Sequence, residues 1–327
     1  MSRTKYPIHP DFKRWQKMNP PLGPTILPVT QKLLGLLFKM EKTSAGMRAQ
    51  KVTIPVKGGE TAAILYSPEG IGESSPCLVY YHGGGFVLPA APYHYSLARE
   101  YALRARCRVL FVDYRLAPQH PFPAAPEDCF AAYSWALEHS SQLSIDKRRA
   151  AVGGDSAGGE LAAVVCLMAK ERGLPQPCAQ LLIYPVVGRG LETESMKKYT
   201  DTPMCNSRDI QRYDELYFQD PSAGRPEYAS PIHAPSLAGL PETYIETAEF
   251  DCLRDGGVLY AERLREFGVS VELRNTEGTM HGFDIVLTSP IVTECVARRA
   301  AFLRRAFGIE AETEPAADVD TSAGDMR

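Results

Sequence analysis

A serine surrounded by glycines is the first candidate for chemistry in this chain. Ser156 lies at the centre of Gly154-Asp-Ser-Ala-Gly158, between the apolar residues 150–152 and a segment whose apolar side chains recur at helical spacing. A serine on a sharp turn from strand to helix needs small neighbours, and its hydroxyl then stands clear of the sheet at the positive end of a helix. Such a serine could act as a nucleophile, although a glycine-rich turn can also be purely structural or hold a phosphate.

A second glycine-rich stretch could supply hydrogen-bond donors to a reacting oxygen. The apolar residues 77–81 predict a strand, and His82-Gly-Gly-Gly-Phe86 follows directly. Backbone N–H groups of successive glycines can approach a ligand atom closely because no side chain blocks them. We expect Gly84 and Gly85 to form an oxyanion hole together with Ala157, while Gly83 shapes the loop.

Candidates for a general base and its acidic partner occur downstream of the serine. Asp251 follows the apolar residues 244–245 at the predicted end of a strand, and His281 follows a segment in which apolar residues alternate from position 269 to 273. In the order Ser156, Asp251, His281 these residues match the triad of an α/β-hydrolase, where histidine takes the serine proton and aspartate orients the imidazole. Alone, an aspartate or histidine at a strand end is more commonly a cap or a surface group.

Several other titratable side chains compete for roles near these motifs. Asp113 is the rival triad acid, but it precedes the serine, so we expect it to form a buried ion pair or turn network with Arg115. Glu160 is expected to point sideways into a hydrogen-bond network beside the nucleophile. The remaining roles are expected to be structural: His82 as a loop anchor, His94 and His233 as surface or cap residues, and Asp255 as a cap or partner of Arg254.

Taken together, these stretches resemble the hormone-sensitive-lipase family of α/β-hydrolases, which includes the bacterial family IV esterases. The resemblance runs from about residue 48 to 306. It implies an α/β-hydrolase fold with a mostly parallel sheet, helices on both faces and a helical cap. Family members often carry Glu, Asn and Pro where this chain has Gln119, Glu160 and Cys252. The stretches that carry the resemblance are residues 82–86, 113–118 with 121–123, 154–159, 251–255 and 281–283.

Strand and helix patterns alternate along most of the chain, which predicts a parallel sheet with ligands bound at the carboxyl ends of its strands. Residues 51–56 and 61–67 predict a hairpin, and the alternation stops between about 188 and 239. In the resembled family, such an insertion and an N-terminal segment together cover the active site. The predicted organisation is a cap segment at 1–47, a catalytic domain at 48–306 with a cap insertion at 188–239, and a disordered acidic tail at 307–327.

The resemblance implies a serine carboxylesterase that hydrolyses short- to medium-chain acyl esters through an acyl-serine intermediate, without a metal or organic cofactor. The expected partner is a small-molecule ester. Two alternatives stay open: an amidase or deacetylase with the same triad, and a non-catalytic small-molecule receptor, against which the presence of His281 argues. The side chains expected to line the substrate pocket are Phe86, Tyr213, Tyr217, Leu253 and Phe283.

Composition and charge exclude several other classes of protein. The chain has 327 residues and a formal net charge of −3, which argues against a nucleic-acid-binding surface. Its eight cysteines lack zinc-site spacing and are expected to be core thiols in a reducing compartment. The apolar run at 33–38 is too short to span a bilayer, and the N-terminal residues lack the pattern of a signal peptide. We therefore expect a cytoplasmic protein, for which a homodimer stays open.

Overall fold

The computed structural model describes residues 5–309, with the exception of residues 21, 24, 43 and 221. Two parts of the predicted organisation therefore lie outside the described residues. These are the first four residues of the cap segment and the acidic tail from residue 310 onward.

Within the described residues, eight strands form one twisted sheet, and all but one run in the same direction. The strands lie in the order β1-β2-β4-β3-β5-β6-β7-β8, where β2 is antiparallel to both of its neighbours and every pair from β4 to β8 is parallel. The predicted α/β-hydrolase fold with a mostly parallel sheet is thus confirmed. The strands are β1 (Met47–Val56), β2 (Gly59–Pro68), β3 (Ser75–Tyr81), β4 (Arg108–Asp113), β5 (Ile145–Asp155), β6 (Ala179–Ile183), β7 (Glu242–Phe250) and β8 (Val271–Met280).

Helices cover both faces of this sheet, and each face has its own apolar core. Side chains of β3 alternate between the two cores, with Val79 on one side and Leu78 on the other. The first core contains buried residues of α3, α4 and α8, and the second contains those of α2 and α9. The helices are α1 (Leu27–Met40), α2 (Pro92–Arg104), α3 (Ala124–Glu138), α4 (Ala157–Glu171), α5 (Glu194–Lys198), α6 (Ser207–Tyr217), α7 (Pro226–Ala229), α8 (Arg254–Glu266) and α9 (Pro290–Ala306), with short 3-10 helices at Pro10–Trp15, Pro231–His233 and Phe283–Ile285.

The last strand differs most from its sequence pattern. Apolar alternation predicts a strand at 269–273, whereas β8 begins at Val271 and continues to Met280 through the polar residues 274–277. As the edge strand, β8 has a single neighbour, β7, so its residues need not be apolar on both faces. This extension carries the chain to the same edge of the sheet as the ends of β5 and β7.

The region between β6 and β7 contains no strand among its described residues. Its later part packs into the first core through Ile232, Ala234 and Leu237. Its middle part, helix α6, instead contributes Ile210 and Tyr213 to a cavity at the carboxyl edge of the sheet. Only part of the predicted insertion therefore reaches that edge, and its action as a cap stays a prediction. Among the described residues, no helix combines the length and apolar character needed to cross a membrane.

Candidate active site

Ser156 occupies a strained turn between β5 and α4. Its φ is 54° and its ψ is −118°, a conformation that side-chain-bearing residues rarely adopt. The turn is held by a hydrogen bond of 2.8 Å from the Ser156 N–H to the carbonyl of Ile183. It also requires glycine at position 158, where a Cβ atom would collide with the carbonyl oxygen of Tyr81. The structure thus has the predicted strand–serine–helix turn, with the hydroxyl placed beyond the end of β5.

The structure brings Ser156, His281 and Asp251 into one hydrogen-bonded series. The Nε2 atom of His281 lies 2.8 Å from Ser156 Oγ, and its Nδ1 atom lies 2.7 Å from Asp251 Oδ2. The other Asp251 oxygen accepts the backbone N–H of Leu253 at 2.9 Å, and the carboxylate is fully buried. Because ionised aspartate can only accept, Nδ1 carries a proton, and in the neutral form of the imidazole Nε2 is free to accept the serine proton. Asp251 and His281 directly follow β7 and β8, so the parallel strands bring them together.

The electrostatic environment favours the protonated form of His281. Burial lowers its pKa, but the negative charge of Asp251 and the hydrogen bond to it outweigh burial, so the pKa rises to about 9. Asp251 would therefore stabilise an imidazolium that forms when His281 takes a proton from Ser156.

The glycine loop presents unused donors beside the serine. Among the described residues, no acceptor meets the backbone N–H of Gly84, Gly85 or Ala157. The N–H of Gly83 instead donates to Asp155 Oδ1 at 3.0 Å. Three donors are thus available for an oxyanion, and Gly83 fastens the loop that presents two of them.

His94 belongs to the support of this loop, so its assignment as a surface residue is wrong, although its side chain does cap the start of α2. Its side chain is buried, with Nε2 donating to Asp155 Oδ2 at 3.1 Å and Nδ1 accepting the Ala91 N–H at 2.9 Å. Tyr80 donates to the other Asp155 oxygen at 2.8 Å. Burial disfavours the carboxylate, but the electrostatic interaction with His94 and the hydrogen bonds from His94 and Tyr80 outweigh this and lower the pKa of Asp155. The local sequence around His94 gave no sign of this contact, since α2 joins it to a residue far along the chain.

His82 lies beneath the loop in the position expected of an anchor. Its Nδ1–H donates to the Gly83 carbonyl at 2.7 Å, and its ring stacks on that of Tyr114 with centroids 4.5 Å apart. Burial, assisted by the nearby His94, lowers the pKa of His82 to about 4, so the ring is neutral. Two further expectations also hold, because His233 is exposed and Asp255 pairs with Arg254 at 2.8 Å.

The expected pairing of Asp113 with Arg115 is wrong. Arg115 makes its ion pair with the buried Asp128, at 2.6 and 2.8 Å. Asp113 accepts a hydrogen bond from Thr61 through its backbone carbonyl, and burial raises the pKa of its side chain to about 6. β4 ends at Asp113, so Arg115 lies beyond the strand, and closeness in sequence does not make a pair here.

Glu160 is buried on the first turn of α4, but the expected hydrogen-bond network is absent among the described residues. Burial raises the pKa of Glu160 well above its usual range, the charge of Asp214 adds to this rise, and that of Arg189 opposes it. The site therefore disfavours the ionised form of this carboxyl group.

A cavity of about 440 Å³ opens above Ser156 and His281. Its walls are largely apolar, and they come from α6, the glycine loop and the N-terminal segment. Two of the five predicted pocket residues, Phe86 and Tyr213, line it. The ring of Tyr213 also lies so close to Gly85 that a side chain there would collide with it.

The other three predicted pocket residues do not line this cavity, and their assignment is wrong. Tyr217 stacks on Phe86 with ring centroids 4.1 Å apart, and it lies behind that wall. Phe283 packs against Tyr184 on the far side of His281, and Leu253 lines a separate small pocket. Each of the three is near a motif or within the insertion, but Tyr217 and Phe283 are buried in packed protein and Leu253 faces a different pocket.

A second buried network, not predicted from the sequence, supports the loop that follows His281. Arg299 is fully buried and contacts Glu246 at 3.0 Å and Asp284 at 2.9 Å. Asp284 also accepts the hydroxyl of Tyr184 at 2.8 Å, and the edge of the Tyr184 ring packs against His281 with centroids 5.0 Å apart. Its members lie on β7, α9 and the loops after β6 and β8, so only the folded sheet brings them together.

A serine, histidine and carboxylate in series below an apolar cavity, at the carboxyl edge of a parallel sheet, define an α/β-hydrolase site. A model of the α/β-hydrolase fold family matches residues 78–285, and the chain belongs to this family. The comparisons also confirm the resemblance to its hormone-sensitive-lipase branch. No group of three or more His, Cys, Asp or Glu side chains in the described part of the chain could hold a metal ion.

Characterised relatives share most of the chain. Carboxylic ester hydrolase LipN of Mycobacterium tuberculosis is 42% identical over 71% of this chain, and the match spans 63% of that protein's length. Carboxylesterase NlhH of the same organism is 39% identical over 74% of this chain and 77% of its own. Among solved structures, a bacterial heroin esterase is 33% identical, with a TM-score of 0.83, and the alignment covers 93% of this chain and 99% of that one.

Proposed function

We propose that this protein is a serine carboxylesterase acting on esters with short to medium acyl chains. The observation that carries the proposal is the series Ser156–His281–Asp251, with contacts of 2.8 and 2.7 Å, at the floor of an apolar cavity. Relatives that bear the names carboxylesterase and carboxylic ester hydrolase support ester cleavage as the reaction.

The proposed reaction is acyl transfer to water in two halves. Ser156 Oγ attacks the ester carbonyl carbon while His281 Nε2 takes its proton, and Asp251 stabilises the resulting imidazolium. The C–O bond to the alcohol then breaks as His281 returns the proton to the leaving oxygen. Water repeats the same sequence on the acyl-serine, which releases the carboxylic acid and restores Ser156.

Stabilisation of the negative oxygen in both halves is assigned to the free N–H groups of Gly84, Gly85 and Ala157. Loss of one such donor typically raises the barrier by ~3 kcal/mol. His94 and Asp155 act as positioning residues, because they fasten the loop through Gly83 and do not themselves reach the reacting atoms.

The cavity supports the limit on acyl length. Its volume of about 440 Å³ falls in the range of sites that enclose small molecules. Met18 and Leu34 of the N-terminal segment and Ile210 of α6 form part of its wall, opposite the sheet. We expect activity to peak with acyl chains of about four to eight carbons and to fall sharply by about twelve.

A panel of p-nitrophenyl esters from acetate to palmitate tests this proposal, with matched anilides to measure amide cleavage. We expect turnover of the shorter esters, slower turnover of the anilides, and loss of both with Ser156→Ala. A protein that cleaves none of these esters, or that cleaves the anilides faster, would contradict the proposal and favour the receptor or the amidase.

We also propose that the enzyme works in a reducing compartment such as the cytoplasm. All eight cysteines carry free thiols, and every one except the half-buried Cys178 is buried. Burial is the first cause that raises the pKa of the Cys77 thiol, to about 12, so this side chain is unreactive near neutral pH.

A further inference from the structure

Helix α1 carries a stripe of apolar side chains on its outer surface. Five residues recur at intervals of three, four, three and four positions, and they fall within about 80° of the helix circumference. Each of them is between 45% and 66% exposed. We call these residues the outer stripe: Ile26, Val29, Leu33, Leu36 and Met40.

The opposite side of the same helix is already occupied by the body of the protein. Leu27 and Phe38 are buried there, and Leu34 lines the cavity above Ser156. Gln31 donates to the carbonyls of Val87 and Ala117 at 2.8 and 2.9 Å. The helix is therefore apolar on two faces, a pattern expected when both are covered, but only one is covered by the described residues.

The exposure is concentrated on this helix. Eight large apolar residues of the described chain are markedly exposed, and five of them form the outer stripe. Of the other three, Met18 lines the cavity, while Leu103 and Leu259 lie on α2 and α8. Scattered residues of this kind are ordinary on a protein surface, whereas a continuous patch marks an interaction site.

The charge around the outer stripe indicates the chemistry of the surface that it binds. Lys32 and Lys39 are exposed on α1, and Lys42 is exposed just beyond its end. Between residues 12 and 59 the sequence has nine basic side chains and one acidic side chain, Glu41, although the whole chain has a net charge of −3. Glu41 is engaged in an ion pair with Arg99. The apolar stripe thus lies in a strongly basic part of the chain.

We propose that the outer stripe of α1 docks the protein onto a lipid–water interface with anionic head groups. Apolar side chains of an interfacial helix enter the boundary between head groups and acyl chains, and flanking lysines contact the anionic head groups. A second copy of the chain fits this face less well, because pairing two stripes would bring the lysines of both copies together. The acidic residues after 309 complement the charge, but Val319 and Met326 are the only large apolar side chains there that could cover the stripe.

The position of the stripe adds a functional consequence. Leu34, on the inner side of α1, and Met18, just before it, line the cavity that contains Ser156. Docking through the outer stripe would place this wall of the cavity beside the lipid phase, where apolar esters partition. The docking itself does not depend on the proposed esterase activity.

Sedimentation with lipid vesicles tests the proposal. We expect the protein to bind vesicles of phosphatidylcholine with phosphatidylglycerol at least about tenfold more strongly than vesicles of phosphatidylcholine alone, and less strongly as salt rises. Leu33→Ser with Leu36→Ser should weaken binding by about tenfold or more. The matched control, Leu103→Ser with Leu259→Ser, removes exposed apolar surface elsewhere and should bind as the natural protein does.

Two further variants keep the outcome clear. Lys32→Gln with Lys39→Gln alters exposed charges only, and it should abolish most of the preference for anionic vesicles even if the serine variant folds poorly. Ser156→Ala should bind vesicles normally, which separates docking from catalysis. Equal binding by the stripe variant and its control would overturn the proposal. So would a natural dimer that becomes monomeric with Leu33→Ser and Leu36→Ser and shows no vesicle binding, since the stripe would then be a contact between copies.

Discussion

The catalytic edge of the sheet and the segments above it are held by different kinds of interaction. Below the cavity, Arg299, Glu246 and Asp284 form ion pairs with no exposure to solvent. In the two segments predicted to form the cap (residues 1–47 and 188–239, here called the cover), Lys5 and Asp201 form an ion pair, and both of these side chains are largely exposed.

Aromatic packing adds to the attachment of the upper segments. Tyr217 of α6 stacks on Phe86 of the glycine loop, and Gln31 of α1 donates to backbone carbonyls at the same loop and beyond it. The ion pair of the upper segments is exposed, whereas the ion pairs at the carboxyl edge are fully buried. This difference agrees with the proposed division of roles, in which the edge performs the reaction and a more loosely held cover would set which esters enter.

The largest effect is expected at the edge, from the triad acid. Asp251→Asn should lower kcat by about 10 000-fold, because Nδ1 of His281 loses the carboxylate that orients it. Asp113→Asn is the matched control, and it should leave kcat within about twofold. Since burial raises the pKa of Asp113 to about 6, its neutral replacement should not lower the melting temperature at pH 7. If steady-state kinetics showed the large loss of kcat for Asp113→Asn and not for Asp251→Asn, Asp113 would be the triad acid.

A stability comparison probes the two regions directly. Arg299→Met leaves Glu246 and Asp284 buried without their cation, and should reduce the free energy of unfolding by about 3 to 5 kcal/mol. Lys5→Met breaks an exposed pair in the cover and should cause no measurable loss. Urea denaturation followed by circular dichroism measures both. Similar losses for the two variants would show that the cover is as firmly built as the edge.

The pH profile of kcat/KM reports on His281. Catalysis needs the neutral imidazole, and Asp251 raises the pKa of this group to about 9 despite its burial. The rate should therefore rise about tenfold for each pH unit between roughly pH 6 and 8, and should level off at alkaline pH. Asp251→Asn should move this limb to lower pH. If kcat/KM were already independent of pH above the ordinary pKa of imidazole, Asp251 would not control the pKa of the base.

The smallest effect is expected in the cover, and it should concern selectivity. Ile210→Trp fills part of the cavity from α6, and should lower kcat/KM for octanoate esters by about tenfold while acetate changes by less than about threefold. Gln211→Trp adds the same bulk on the exposed side of the helix and serves as the control. Equal losses for acetate and octanoate would indicate a disturbed catalytic edge instead.

Most of the sheet and the central site residues could be predicted, because their signals are local. Ser156 needs glycine neighbours, the glycine loop directly follows an apolar strand, and the order of Asp251 and His281 along the chain fits one fold. Each of these residues ends a parallel strand, so the topology itself brings them together. The residue types and their spacing were sufficient here, because the strand ends fix the positions of these side chains.

Other parts of the site could not be predicted, because they depend on contacts between distant elements. His94 reaches Asp155 only when α2 packs on the sheet, and Arg299 reaches Glu246 from α9. The direction of a side chain was equally hidden for Tyr217, which belongs to the insertion but packs behind Phe86. Tertiary packing decides which groups pair with buried charges and which way aromatic side chains point. The local sequence pattern carries no information on this packing.

The most direct test of the account is to identify the residue that a serine-reactive p-nitrophenyl phosphonate modifies. The account predicts one labelled peptide, modified at Ser156, with release of one equivalent of nitrophenol per active chain and no label on any cysteine. Ser156→Ala should take up no label and retain its fold. Label on another residue, or undiminished labelling of Ser156→Ala, would contradict the assignment of the nucleophile and with it the proposed function.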